Sequence, residues 1–176
     1  KSLCMTVGLL SLCEHNGPDA LVVHLIDLKN DDLVALQGLP QVDTCAGTEE
    51  AALATLAKLD ELKQARIAGA DKSVRHVVCI DELAELVRNP TAMQRLESLL
   101  AMGRSLNINV IAATQHPLAS VIGSLLKANF TARLVGLSVG GGPRLSGSAA
   151  HALVCSHAPR PLGGATLCTL VVDGPR

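Results

Sequence analysis

Val77-Val78-Cys79-Ile80-Asp81-Glu82 is a short apolar run that stops at two adjacent carboxylates. It is too short for a helix, and Val77, Val78 and Ile80 are β-branched, a shape that packs well on a pleated surface. An apolar run without polar alternation is buried on both faces, as parallel strands covered by helices are. Its last residues then emerge at the carboxyl edge of the sheet, where α/β proteins place their ligands. Asp81 and Glu82 stand at that edge. The plainer alternative is a strand that ends in an acidic turn.

Outward from this strand the pattern alternates between strand and helix, which implies parallel strands joined by right-handed crossovers. Upstream, residues 2 to about 14 read as a helix, 21 to 26 as a strand, and 48 to about 66 as a helix with Leu53, Leu56, Leu59 and Leu62 along one side. Downstream, Asn89 and Pro90 read as the cap and first position of a helix whose Leu96, Leu99 and Leu100 face the core. The stretch Asn109-Val110-Ile111-Ala112-Ala113-Thr114-Gln115 is a further buried strand ending in polar residues. Residues 134 to 137 and 167 to 172 read as the final strands. The Gly, Ser and Pro-rich stretch from 140 to 164 between them reads as a loop or a partly disordered segment. No internal repeat is visible.

Composition fits one α/β domain over residues 1–176, large enough to bury a single core. The chain is 48% hydrophobic and 18% charged, the balance of a sheet covered on both faces. No apolar run approaches the roughly 20 residues that cross a bilayer, so no membrane contact is expected of this segment. The six cysteines, Cys4, Cys13, Cys45, Cys79, Cys155 and Cys168, lack C-x-x-C spacing, and several lie inside apolar runs. Reduced thiols in a cytosolic compartment are the expectation. His151, Cys155 and His157 match no strong zinc spacing, and no metal site is expected there.

Net charge, at −1, decides nothing about nucleic acid, but its distribution is informative. Between Ser98 and Val172 there is no Asp or Glu, whereas Arg104, Lys127, Arg133, Arg144 and Arg160 all fall there. An acid-free stretch with fixed cations suits a surface facing phosphates, either of nucleic acid or of a nucleotide at a subunit contact. Phe130 is the only aromatic residue, so base stacking, the usual grip on single strands, is nearly absent. Tracking a duplex through its backbone fits better.

The chain opens on Lys1-Ser2 followed by a mostly apolar stretch. A phosphate-binding loop ends in Lys-Ser/Thr at a helix N-terminus, where the ammonium meets the β/γ phosphates, the hydroxyl meets Mg²⁺ and the helix dipole favours the anion. Only those last two letters are present, and the glycines and strand that precede them would lie upstream of Lys1. A Lys followed by apolar residues and a Cys also mimics a secretory leader, although the chain does not begin with Met and its downstream features are not those of one.

Five blocks in order resemble the motor domain of the FtsK/SpoIIIE family of DNA translocases, RecA-like P-loop ATPases, over nearly the whole chain. They are Leu25-Ile26-Asp27-Leu28-Lys29, like I-D-x-K; Gly38-Leu39-Pro40, like G-I-P; Ile80 to Leu86, like D-E-x-A-D-L; Ala113-Thr114-Gln115-His116-Pro117, like A-T-Q-R-P; and Val121 to Arg133, like V-I-T-G-x-I-K-A-N-x-P-T-R. The last two are the most specific. There are departures. His116 stands where Arg is usual and Glu85 where Asp is usual; Gly140-Gly141-Gly142-Pro143-Arg144 occupies the place of an expected D-S-R element and keeps only the arginine.

The resemblance implies ATP hydrolysis between the subunits of a ring, hexameric in the family's manner, acting on double-stranded DNA with ATP and Mg²⁺ as cofactors. In that reading Lys1 contacts the β/γ phosphates, Ser2 and Asp81 hold Mg²⁺, Glu82 is the general base, and Gln115 senses the γ-phosphate. Arg104 matches the arginine of the family's K-A-R-A-A-G segment and is the expected finger delivered to a neighbouring subunit, with Arg133 and Arg144 as reserves. Asp27 and Lys29 can equally form a structural pair at a strand end. Two other functions remain open at this point: a type VII secretion motor that moves protein, and a non-catalytic ring or scaffold subunit.

Overall fold

A computed structural model describes residues 2–114, 129–130, 132–136 and 151–155. Helix α1 spans Ser2–His15 and strand β1 spans Leu21–Ile26. Strand β2 covers Val42–Ala46, helix α2 Glu49–Ile67 and strand β3 Arg75–Ile80. The one-turn helix α3, Leu83–Leu86, leads into α4, Pro90–Met102. Strands β4, Ile108–Thr114, β5, Ala132–Gly136, and β6, His151–Cys155, complete the described elements.

These strands form one sheet in the order β2-β1-β3-β4-β6-β5. β2, β1, β3 and β4 run parallel, as the apolar runs imply, whereas β6 pairs antiparallel with both β4 and β5. Val77, Val78, Cys79 and Ile80 are each 3% exposed or less, although their side chains alternate between the two faces, so both faces are covered. The core joins these strands to Met5 and Leu9 of α1, Leu56 and Leu59 of α2 and Leu96, Leu99 and Leu100 of α4.

Local chemistry explains where the helices begin. Thr48 caps α2 by accepting from the Ala51 amide at 3.2 Å. Asn89 caps α4, its Oδ1 accepting from Thr91 and Ala92, with Pro90 pre-set for the first helical position. The buried guanidinium of Arg66 stitches the amino edge of the sheet together: Nη1 donates to the Leu106 carbonyl at 2.7 Å, Nη2 to Val74 at 2.7 Å and Nε to Asp71 at 3.1 Å. Among the described residues no helix is long and apolar enough to cross a membrane.

Two expectations from the sequence change with the fold. Strand β6 lies inside the stretch that reads as a loop, because main-chain pairing with β4 and β5 makes a strand of residues whose own composition does not demand one. Strand β2 has no counterpart in the sequence reading: its side chains are mostly half-buried at the sheet edge, so it shows neither an apolar run nor clean alternation. The expected strand at 167 to 172 lies outside the described residues.

Candidate active site

The parallel register carries three strand ends to one edge. Ile26 of β1 is level with Ile80 of β3, and Ile80 with Ala112 of β4. Asp27 and Asp81 follow at one level, and Glu82 and Thr114 one residue further. All four are buried: Asp27 to 1% exposure, Asp81 to 2%, Glu82 to 5% and Thr114 to 0%. Buried carboxylates are tolerated only where hydrogen bonds or cations compensate them.

Each acid is held differently. Glu82 is the N-cap residue of α3 with extended backbone, yet its side chain makes no capping hydrogen bond. It turns instead to the neighbouring strand, where the Thr114 hydroxyl donates to its Oε1 at 2.7 Å. Asp27 uses Oδ2 to accept the amides of Asp31, Asp32 and Leu33 at 3.1, 3.0 and 2.9 Å, folding the chain after β1 into a tight loop. Its other oxygen, Oδ1, is buried without a hydrogen-bond partner among the described residues. The Asp81 amide donates to the Ile26 carbonyl at 3.0 Å, locking this end of β3 to β1. Nearby, burial and then the Asp27 charge push the Cys45 thiol up, so it stays protonated at neutral pH.

Asp27 and Lys29 do not form the strand-end pair that the sequence allows. Lys29 reaches Glu85 across the edge at 3.9 Å, while Asp27 is committed to its loop amides. Ser2 lies in helix α1. Lys1, Gln115 and Arg144 lie outside the described residues, and Arg133 lies in β5. Arg104 is exposed on a 3₁₀ turn, Gly103–Leu106, that enters β4 from its amino end. The length of that strand puts it roughly 20 Å from Glu82. Within one subunit Arg104 and Glu82 therefore lie at opposite edges of the sheet. Thr114 belongs to the A-T-Q-H-P block but has no role in the sequence reading, and no sequence signal ties it to Glu82, since their contact depends on strand register.

No family model matches the chain. Among curated proteins it is 29% identical to DNA translocase FtsK of Borreliella burgdorferi and 30% identical to DNA translocase FtsK of Treponema pallidum, in each case over 76% of this chain and 20% of the relative. DNA translocase SftA of Bacillus subtilis is 27% identical over the same share of the chain. Over this stretch the chain is similar in sequence to DNA translocases of the FtsK type. It spans about a fifth of the length of these FtsK relatives. Among solved structures, ATPases 2 and 3 of Thermomonospora curvata EccC, in complex with a signal sequence peptide, superpose with a TM-score of 0.59 at 13% identity, covering 81% of this chain and 32% of theirs. The cytoplasmic domain of the same type VII secretion ATPase gives 0.52 at 16% identity, covering 89% and 24%. These structural likenesses establish the α/β fold. In the FtsK/SpoIIIE frame, the aligned acids at the ends of β1 and β3 coincide with the I-D-x-K and D-E-x-A-D-L blocks.

Proposed function

We propose that this chain is the ATP-hydrolysing part of a ring motor that moves along double-stranded DNA. The observation that carries the reading is the buried Asp81, Glu82 and Thr114 cluster at the carboxyl edge, in a chain whose curated relatives are DNA translocases. The acid-free, cationic stretch from Ser98 to Val172 supports a phosphate-bearing partner. The residues fit ATP and Mg²⁺: Asp81 is a buried carboxylate, and Asp27 Oδ1 is a buried carboxylate oxygen lacking a donor among the described residues, which a cationic centre or its hydration would satisfy.

In this mechanism Lys1 would bind the β/γ phosphates and Ser2 and Asp81 would hold Mg²⁺, which would supply positive charge to the phosphoryl group. Glu82 takes the proton of the attacking water. Gln115 contacts the γ-phosphate, and Arg104 of the adjacent subunit offsets charge developing there. The distance from Arg104 to Glu82 along β4 supports assembly of the complete site across a ring interface. In this reading the ring closes as a hexamer.

A second reading is a motor that moves protein, favoured by the superposition on the type VII secretion ATPase. The ATPase rate of the natural full-length protein, measured with and without linear duplex DNA, separates the two. Strong stimulation is expected; hydrolysis indifferent to DNA favours the secretion motor, and no hydrolysis at all favours a scaffold subunit. Glu82→Gln is expected to keep ATP binding and abolish turnover, and wild-type turnover in that variant would sink the assignment of Glu82.

A further inference from the structure

We propose that Thr114 is a positioning residue for Glu82, fixing the orientation of the general base through its hydroxyl. The inference rests on the ATPase reading above and extends it to a residue with no role in that mechanism. Register sets up the contact: β3 and β4 are parallel neighbours, and Glu82 falls level with Thr114, just beyond the last paired positions, Ile80 and Ala112. Glu82 keeps extended backbone although it begins α3, and its carboxylate is not used as a cap. The side chain therefore reaches sideways along the sheet edge, where Thr114 Oγ1 donates to Oε1 at 2.7 Å.

A glutamate has three side-chain torsions and can point its carboxylate in many directions. Inside the edge, at 5% exposure, it is surrounded by protein, but space alone does not select one orientation. The hydrogen bond from Thr114 to Oε1 narrows that choice. Because the carboxylate is planar, holding Oε1 also sets the direction of Oε2, through which the base accepts a proton from water. Thr114 is suited to this role because it is completely buried and its β-branched side chain is stiff at χ1, so its hydroxyl is itself held in place. A base must lie within hydrogen-bond reach of the proton it removes, and small misplacements are costly in rate.

The test uses the natural full-length protein and four substitutions. Thr114→Val keeps the shape and removes the donor; it is expected to lower kcat about 10- to 100-fold, with affinity for a fluorescent ATP analogue in Mg²⁺ changed by no more than about twofold. Thr114→Ser restores a hydroxyl and is expected to recover kcat to within about threefold of wild type. In a Glu82→Gln background, where single-turnover release of labelled phosphate measures the residual rate, adding Thr114→Val is expected to change nothing further, because the two residues act as one unit. Thr114→Ala serves as a second donor-free variant if the valine substitution lowers the melting temperature. Wild-type kcat in the donor-free variants would overturn the proposal. So would a serine variant as slow as valine, or a valine effect that persists undiminished beside Glu82→Gln, since either marks a structural role. Wild-type turnover by Glu82→Gln alone is a different failure: it removes the assignment of the base, and this inference with it.

Discussion

Lowering the pH from 7.5 to 5 should loosen the centre of the sheet, through two histidines remote from the candidate site. His24 of β1 and His76 of β3 stack with ring centroids 5.3 Å apart and planes 14° apart, and His24 Nε2 lies 3.0 Å from His76 Nδ1. On its other side His24 Nδ1 meets Thr44 Oγ1 at 3.0 Å. His24 is 1% exposed and His76 half-buried. Burial, then the neighbouring His76, lowers His24 from 6.5 to about 4; burial, then Arg66, does the same for His76. Lys58 adds to both effects, and Asp43, 3.4 Å from His24 Nδ1, opposes them. Lys58 also bonds Asp43 at 2.6 Å, which blunts that opposition.

The sign follows from which state binds the proton. Above pH 6.5 both rings are neutral in the folded and unfolded chain, and the stability is intact. As pH falls from 6.5 towards 4 the unfolded chain gains protons that the folded one refuses, so stability declines, and it levels off below 4. At pH 5 His24 alone accounts for about 2 kcal/mol of that loss. The half-buried His76 is partly screened by solvent and adds less. Asp43, held low chiefly by its hydrogen bond to Lys58, loses its contribution only at more acid pH, so the two windows separate. Hydrogen exchange of β1 and β3 amides, corrected for the intrinsic rate at each pH, should show opening about thirtyfold more frequent at pH 5. Unchanged opening would refute the argument, as would the same pH slope in a His24→Gln variant, which cannot titrate there.

Three further outcomes follow from the geometry. Asp27→Ala should cost about 2 to 4 kcal/mol in denaturant unfolding, because the amides of Asp31, Asp32 and Leu33 lose their acceptor, whereas Asp27→Asn keeps an acceptor and should cost less. Arg66→Ala should cost about 3 kcal/mol, and Arg66→Lys should recover little of it, because only the guanidinium fork reaches the carbonyls of Asp71, Val74 and Leu106 together. Arg104→Ala and Glu82→Gln should each be inactive alone, yet mixing them should restore part of the ATPase rate, since some interfaces then combine an intact finger with an intact base. Mixtures as inactive as their parents would place Arg104 outside the reaction.

The strands that the sequence shows most plainly are those buried on both faces. Residues 21 to 26, 77 to 80 and 110 to 113 appear as largely apolar runs because burial on either side leaves little room for alternation, and their strands β1, β3 and β4 are neighbours within the sheet. Helix starts are legible for a local reason: Asn89 with Pro90 carries its capping chemistry within a few residues. Chain direction alone puts Asp81 and Glu82 at the carboxyl edge.

Position across the sheet is another matter. Val42–Ala46 becomes a strand by lying beside β1, and His151–Cys155 by lying between β4 and β5; the composition of neither segment demands it. The same distinction governs the side-chain chemistry. Nothing near Glu82 in the chain indicates that its carboxylate is held by Thr114, and nothing near His24 indicates that it stacks on His76. Both contacts join residues brought level by the pairing of parallel strands, whose register is set by packing on both faces and by crossovers many residues long. Which segments are buried and which acids stand at their ends can be read along the chain, because burial and capping act on neighbouring residues. Which of those ends touch emerges from the folded sheet, because it depends on how one strand slides against the next.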